Sequence, residues 1–148
     1  MADNRQYLRI GVQGVDYLLP GSASFAIEKR EHLQVDTSGG IIVAWRVASG
    51  TRAPAYSVDA DLNPLARSSW QRAVFLQGDA QPVGLIADEL QLLAREDVRV
   101  ESFRPLGPAA TRSGHLFGGA WVRPGYAPML VFEARVLSEY LRGLERPA

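Results

Sequence analysis

Apolar and polar residues alternate along most of this chain, and glycine or proline interrupts the alternation every few residues. Residues 7–12 alternate, Gln13-Gly14 can turn the chain, and residues 15–19 return. Alternate side chains of a strand face the same side of a sheet, so a period of two around a glycine turn predicts a β-hairpin. Runs this short favour a barrel or sandwich of many strands over a helical fold.

The same pattern recurs after Gly39-Gly40. Residues 41–47 alternate, Ser49-Gly50 can form a turn, and the return strand passes through Pro54. Proline has no N–H for a sheet ladder, which predicts an edge position or an irregular strand there. Further strands are predicted at 73–76 and 83–87, joined by a turn around Gly78-Asp79, and at 98–103, 120–122 and 129–132.

Helical periodicity is confined to two segments. Residues 59–67 are predicted to form one or two helical turns, interrupted near Asn63-Pro64. After the last strand, apolar residues recur at helical spacing, with Gly143 near the end of the pattern. Residues 107–114 are small and polar and predict a mobile loop. The chain is therefore predicted to be mainly β with a C-terminal helix.

Composition excludes several kinds of chemistry. The formal charge is zero and there is no cysteine, which excludes disulfides, zinc thiolate sites, iron–sulfur clusters and cysteine nucleophiles. A balanced charge disfavours nucleic acid as the main partner, because binding phosphates needs a basic surplus. The polar N-terminus and the lack of an apolar run near the roughly 20 residues that span a bilayer predict a soluble, cytoplasmic protein without membrane insertion.

Reactive side chains do not converge in a recognisable enzyme motif. The two histidines, at positions 32 and 115, belong to no metal-binding pattern, and neither a P-loop nor a G-x-S-x-G turn occurs. Asp59 with Asp61, and Asp88 with Glu89, are expected to cap loops or face water, and Asp88 and Glu89 to point apart at a strand end. We therefore expect no catalytic, metal or cofactor site, and a protein that works by binding other proteins.

Three tryptophans each precede an arginine by one or two residues, at 45 and 46, 70 and 72, and 121 and 123. This pattern could form a stacking platform for single-stranded nucleic acid. The zero net charge favours a different interpretation, in which the tryptophans supply core or interface area and the arginines lie on the opposite, solvated faces.

Three segments of the second half resemble the CheW family of chemotaxis coupling proteins. Residues 83–90, Val-Gly-Leu-Ile-Ala-Asp-Glu-Leu, resemble its V-G-[LI]-x-V-D-[EG]-V strand. Residues 116–120 and 129–137 resemble its closing G-[LV] and L-I-L-L-D-x-x-x-L-L segments, with Glu133 in place of aspartate. Residues 7–20 match the opening hairpin more loosely, and Glu28 stands at the acid of V-x-E-[IV]. The resemblance covers about 7–141 at low identity.

The clearest departures lie in residues 42–54, which align with the family's I-x-G-V-x-N-L-R-G-x-x-x-P. The turn glycine, Gly50, matches. Ala44, Val47 and Ser49 replace the family's glycine, asparagine and arginine. The residues that make a strand and a turn are thus kept, whereas the polar groups that the family uses in its interaction groove are lost.

The resemblance implies a fold of two five-stranded SH3-like barrels that share one core, with a C-terminal helix. It implies a single domain over 1–148, with subdomains of about 15–75 and about 76–130. It also implies a non-enzymatic adaptor that couples the cytoplasmic tip of a chemoreceptor to the regulatory domain of a CheA-type histidine kinase, recruited to membrane-associated receptor arrays.

The resemblance also implies where partners bind. The kinase would dock near Ala44, and the receptor in the groove between the barrels. The implied partner-binding residues are Glu28, Ala44, Ser49, Gly50, Val83 and Leu85. Because Ser49 lacks the charge of arginine, receptor binding is expected to be weakened.

Two other interpretations stay open. The chain could be a degenerate CheW-fold scaffold or localisation factor, for example in type IV pilus control, that has lost standard receptor binding. It could also be a small-molecule or enzymatic barrel, which would need a polar pocket with perturbed titratable groups.

Overall fold

The computed structural model describes residues 6–77, 81–103 and 115–145. This part of the chain forms two six-stranded sheets and one short α-helix. The mobile loop predicted at 107–114 and the turn predicted around Gly78-Asp79 lie outside the described residues. The elements are β1 (Gln6–Val12), β2 (Val15–Pro20), β3 (Ser24–Lys29), β4 (Gln34–Val35), β5 (Ile42–Ala48), β6 (Thr51–Tyr56), β7 (Arg72–Gln77), β8 (Val83–Ala87), β9 (Glu89–Ala94), β10 (Val100–Ser102), β11 (Phe117–Trp121), β12 (Met129–Phe132) and α1 (Ala134–Arg142).

One sheet comes from the middle of the chain and the other from its two ends. The middle sheet has the order β3-β7-β8-β6-β5-β4, and the terminal sheet has the order β10-β11-β12-β2-β1-β9. The mainly β prediction is confirmed, but each sheet has six strands instead of five. Both sheets end in a very short strand, β4 or β10, that follows a 3-10 turn. β10 lies within the strand predicted at 98–103, whereas β4, with two residues, is too short to show alternation. The chain passes to the middle sheet between β2 and β3 and returns to the terminal sheet at Asp88. The subdomain division near residue 75 stays a prediction.

The three predicted hairpins are confirmed as the antiparallel pairs β1–β2, β5–β6 and β7–β8. In the first, Val12 pairs with Val15 across the turn, and Gln13 and Gly14 have φ angles of 47° and 86°. Positive φ at both central residues defines the type I′ turn, whose twist matches that of the strands.

Pro54 does not lie on an edge strand, because β6 is internal to the middle sheet. It pairs with Trp45 on β5, and the parallel register with β8 begins at Ala55. The proline therefore stands just ahead of the second ladder, where a missing N–H is tolerated. The β5–β6 ladder has a register shift between Ile42 and Ala44, but Pro54 itself pairs in register, so neither feature predicted for the proline occurs at that position.

The helix predicted at 59–67 is wrong. Val58 forms an isolated bridge with Pro64, and the Asp59 carboxylate accepts hydrogen bonds from the backbone N–H groups of Asp61 and Asn63, both at 2.9 Å. An aspartate that bonds to its own downstream backbone competes with helical hydrogen bonds. Leu62 turns the chain with a φ of 68° while its side chain stays buried.

The C-terminal helix is confirmed, and it packs against an apolar core that both sheets share. The helix contributes Val136, Leu137 and Leu141 as buried residues. Side chains from both sheets and the helix form this shared core: Leu8, Ile10, Val12, Tyr17, Leu19, Ile42, Tyr56, Val74, Leu76, Val83, Leu85, Phe132, Leu137 and Leu141. The rings of Tyr17, Phe117 and Phe132 stack within it at centroid distances of 5.0 to 5.7 Å.

Two smaller apolar clusters lie on the other faces of the sheets. The middle sheet encloses a cluster that includes Ala44, Phe75 and Ile86, and the terminal sheet encloses one that includes Leu18 and Val131. Each sheet thus has its own interior, and the shared core lies between the two.

Two tyrosines hold the loop around Leu62 against the rest of the fold. The Tyr17 hydroxyl donates to the carbonyl of Ala60, and the Tyr140 hydroxyl donates to that of Leu62 at 2.7 Å. Burial raises the pKa of both tyrosines, and the nearby carboxylate of Asp59 adds to the increase. These bonds connect the terminal sheet and the helix to a loop that extends from the middle sheet.

Replacing Tyr140 with phenylalanine should lower the free energy of unfolding by about 1–2 kcal/mol, because the ring stays while the Leu62 carbonyl loses its donor. Urea unfolding followed by circular dichroism measures the change. Tyr126→Phe is the matched control, since the Tyr126 side chain is 65% exposed and its loss of a hydroxyl should stay within about 0.5 kcal/mol. Equal effects of the two variants would contradict a structural role for the Tyr140 hydroxyl.

Candidate functional site

The middle sheet curls until strands that are distant in its order approach each other. β3 and β5 are separated by three strands, yet Glu28 Oε1 on β3 lies 3.7 Å from Arg46 Nη2 on β5. The Arg46 guanidinium also lies over the ring of Phe75, 5.8 Å from its centroid. The ion pair therefore closes the sheet over its apolar interior, and it places one predicted site residue, Glu28, at the surface in a paired state.

The tip of the β5–β6 hairpin carries two more predicted site residues. Ser49 and Gly50 are exposed, with φ angles of 52° and 80°. Ala48 pairs with Thr51 on either side of them, which makes a second type I′ turn. The Thr51 hydroxyl donates to the Ala48 carbonyl at 2.8 Å and reinforces the turn. The tip thus projects into solvent in a fixed shape.

The other three predicted site residues are buried. Ala44 lies in the interior of the middle sheet, and Val83 and Leu85 lie in the shared core. A partner that approached these strands would therefore meet neighbouring side chains. That the six residues form a partner-binding set stays a prediction.

The side of the hairpin that faces away from this interior, which we call the outer hairpin face, carries Trp45, Val47 and Arg52. Val47 is 56% exposed. The Arg52 guanidinium stacks on the Trp45 ring at 4.1 Å from its centroid, and the Trp45 indole N–H donates to Asp36 Oδ2 at 3.0 Å. The face combines an exposed apolar side chain with an ordered cation, a combination suited to contact with another protein.

Asp36 fixes the position of Trp45 on this face by accepting the hydrogen bond from its indole N–H. Its Oδ1 accepts hydrogen bonds from the Ser38 hydroxyl at 2.6 Å and from the Ser38 backbone N–H at 2.9 Å. These bonds, followed by the bond from Trp45, lower the pKa of Asp36 from an ordinary 3.8 to about 2. The carboxylate is therefore ionised at neutral pH and fixes the orientation of the indole.

The prediction that arginines lie opposite their neighbouring tryptophans is wrong for Arg123, whose guanidinium stacks on Trp121 at 4.0 Å from the ring centroid. The sequence reasoning also missed Arg52 as the partner of Trp45. A two-residue turn at 49–50 fixes the register and places these residues diagonally on one face, so counting back from the turn could have found the pair.

The carboxylate pairs have separate structural partners. Asp88 accepts hydrogen bonds from Arg67 and, at 2.7 Å, from the backbone N–H of Gln13, whereas Glu89 lies 3.5 Å from Arg9. They point apart, as predicted. Among residues 6–77, 81–103 and 115–145, no cluster of three or more histidine and carboxylate side chains is placed to hold a metal ion. Apolar side chains fill the space between the sheets, which disfavours a polar reaction site there.

No helix in the described part of the chain has the length and apolar character needed to cross a membrane.

Sequence comparison finds no matching protein-family model and no matching curated protein. Structure comparison finds the scaffolding protein TtCheW from Thermoanaerobacter tengcongensis, with a TM-score of 0.59 and 14% sequence identity. The match covers 88% of this chain and 90% of that chain. At this identity the likeness shows the fold, which is CheW-like: mainly β, with two sheets and a short C-terminal helix.

Gly50→Ala should destabilise the protein by about 1–2 kcal/mol, because an L-residue is strained at a φ of 80°. Gly143→Ala is the matched control. A Cβ at either glycine would meet no atom within 4 Å, but Gly143 has a φ of −78°, so its substitution should be neutral or stabilising by up to about 1 kcal/mol. Denaturant unfolding measures the stability of both variants. Equal effects would contradict the need for a positive φ at the hairpin tip.

Asp36 should make the protein sensitive to acid. Its folded-state pKa of about 2 lies below the ordinary 3.8, so its stabilising contribution is present above about pH 4 and is lost as the pH falls towards 2. The difference in urea midpoint between the native chain and Asp36→Asn should therefore shrink over this range. Asp61→Asn, at an exposed carboxylate, is the control. A difference for Asp36→Asn that stays constant down to pH 2 would contradict the assignment.

Proposed function

We propose that this chain is a non-enzymatic adaptor of a bacterial chemosensory pathway. It links the cytoplasmic tip of a chemoreceptor to the regulatory domain of a CheA-type histidine kinase. The observation that carries the proposal is the CheW-like fold over 88% of the chain. The protein then acts in the cytoplasm as a single domain and is recruited to receptor arrays at the membrane.

The kinase-binding surface in this proposal is the outer hairpin face. The resemblance places the kinase contact near Ala44, but Ala44 is buried. Its neighbours in the β5–β6 hairpin supply the contact instead: the exposed side chain of Val47 and the stacked pair of Trp45 and Arg52. An apolar centre beside a planar cation is typical of the residues that dominate binding energy at protein interfaces.

In this proposal the receptor docks in the groove between the two barrels, with contacts from Glu28 and the hairpin tip. Glu28 already has a cation nearby, because Arg46 lies 3.7 Å away. At the tip itself, Ser49 stands where the family has arginine, so the tip presents a small hydroxyl instead of a charged group with several donors. Losing such an anchor weakens an interface by about 2 kcal/mol or more.

As an adaptor the protein forms and breaks no covalent bond. It holds two partners in a fixed geometry, and a change in the receptor shifts the kinase between its active and inactive populations. This role needs a rigid body that holds its two contact surfaces in a fixed relation. The shared core supports that rigidity, because both sheets and the helix contribute to it.

The second candidate function is a CheW-fold scaffold or localisation factor, for example in type IV pilus control, that no longer binds receptors. The composition of the hairpin favours it: Val47 and Ser49 replace the asparagine and arginine of the family's turn, and both are exposed. On this alternative the kinase-binding or scaffold-binding face remains in use while the tip is inactive.

Binding measurements with the full chain distinguish the two functions. The partners are the regulatory domain of a CheA-type kinase and receptor tips from the same organism, each tested by calorimetry at tens of micromolar. We expect the kinase domain to bind. Receptor binding by the native chain supports the coupling role, whereas receptor binding only after Val47→Asn, Ala48→Leu and Ser49→Arg are combined supports the alternative. If the chain binds neither the kinase domain nor a receptor tip, the adaptor proposal is overturned.

A charge placed on the outer hairpin face should disrupt kinase binding. Val47→Asp should weaken it about tenfold or more, because a carboxylate would have to lose its water in an apolar contact. Val122→Asp is the matched control, since Val122 is equally exposed, at 55%, but lies beyond the end of β11 in the terminal half of the fold. Equal losses in the two variants would contradict the placement of the kinase on this face.

A further inference from the structure

The turn between β11 and β12 begins with Arg123, whose guanidinium lies against two aromatic rings. Its sequence is Arg123-Pro124-Gly125-Tyr126, and the Tyr126 backbone N–H donates to the Arg123 carbonyl at 3.2 Å. Gly125 has a φ of 81°. Proline followed by a glycine of positive φ makes a type II turn, with Arg123 and Tyr126 at its two ends. The turn therefore fixes the backbone of both residues.

The rings of Trp121 and Tyr126, which lie before and after Arg123 in the sequence, are both close to its guanidinium. Its central carbon lies 4.0 Å from the centroid of Trp121 and 4.3 Å from that of Tyr126. Contact with the rings at these distances orders the side chain. The N–H groups lie in its plane and point outward, so stacking leaves them able to donate hydrogen bonds.

The charge of Arg123 has no acidic partner among the residues that the structure describes. The arginines at 9, 46, 67 and 135 each form an ion pair with a carboxylate. Arg123 forms none with any carboxylate in the described ranges. It is thus an ordered cation whose hydrogen-bond donors are not used by a carboxylate of the described chain.

Arg123 borders a groove of about 540 Å³ on the terminal sheet, between the β11–β12 turn, the first hairpin and β9. Val15, which is 40% exposed, and Leu93 line it with apolar surface. Its other charged residues, Arg9 and Asp16, pair with each other at 2.9 Å. The lining therefore has two positive charges and one negative, and the unpaired positive charge is that of Arg123.

We propose that this groove, which we call the arginine groove, binds an acidic segment of a partner protein. A carboxylate of the segment pairs with the guanidinium edge of Arg123, a geometry that allows two parallel hydrogen bonds. A neighbouring apolar or aromatic side chain of the segment packs against Val15, Leu93 and the exposed ring of Tyr126. Charge complementarity selects this occupant, because the groove offers one unpaired cation beside apolar walls.

A nucleic acid fits the groove less well. Asp16 lies in the same lining with its side chain 33% exposed, and the chain has no net positive charge to attract phosphates. The groove lies on the terminal sheet, away from the hairpin tip of the middle sheet, so the proposal does not depend on the kinase and receptor contacts described above.

Titration of the ¹⁵N-labelled full chain with defined peptides tests the proposal. The probe is the blocked hexapeptide Gly-Phe-Glu-Asp-Leu-Gly, and its control has Gln and Asn in place of Glu and Asp. We expect shift changes confined to the groove, including the Trp121 indole N–H, and about tenfold tighter binding of the acidic peptide. Equal affinities, no binding at millimolar peptide, or shift changes outside the groove would overturn the proposal.

Variants of the arginine test its role directly. Arg123→Gln should weaken binding of the acidic peptide about tenfold and leave binding of the amide control unchanged, and Arg123→Lys should fall between the two because it keeps the charge but not the planar donors. Arg99→Gln, at an exposed arginine that does not line the groove, should bind like the native chain. Unchanged binding in Arg123→Gln, or tighter binding of a ten-nucleotide oligothymidine than of the acidic peptide, would contradict the proposal.

Discussion

The apolar core between the two sheets is the constraint on which the rest of the molecule depends. Neither half of a chain this short can bury enough surface by itself to be comfortably stable. The shared core removes this difficulty because each sheet covers one face of the other, and α1 covers part of what remains. The smaller cluster enclosed by each sheet then needs only a few side chains, among them Ala44 and Ala55 in the middle sheet.

This arrangement buries several strands on both faces and so limits which residues can meet a partner. On β7, Val74 and Leu76 face the shared core while Ala73 and Phe75 face the interior of the middle sheet. On β8 even the glycine is fixed by packing, because a Cβ at Gly84 would lie 2.7 Å from the Phe75 ring. Strands of this kind support the fold, and recognition is left to hairpin tips, outer faces and the turns at strand ends.

The sequence predicts the three hairpins and most of the other strands because alternation and turn residues act over short distances, but it does not predict β3, β4 or β9. It also signals the burial of β8, since a continuous apolar run is typical of a strand covered on both faces. It does not reveal which of two apolar spaces each face meets. Val83 and Leu85, which the family resemblance implied as contact residues, are buried in the shared core. The loop around Leu62 was mispredicted because Asp59 and the distant Tyr140 determine its shape together.

Arginine, present 15 times against a single lysine, connects the fold to its surfaces. A guanidinium can stack on a ring with its flat face and still donate hydrogen bonds along its edge, which an ammonium group cannot do. Arg30 stacks on Trp70 and donates to the carbonyls of Ser68 and Trp70. Arg46 stacks on Phe75 and reaches the carboxylate of Glu28. Each edge thus meets an acceptor within the chain. At Arg123 the rings lie closer, at 4.0 and 4.3 Å, but among the described residues no carboxylate pairs with the edge. The same interaction that stabilises the fold elsewhere therefore leaves, at the β11–β12 turn, an ordered donor for an acceptor from another molecule.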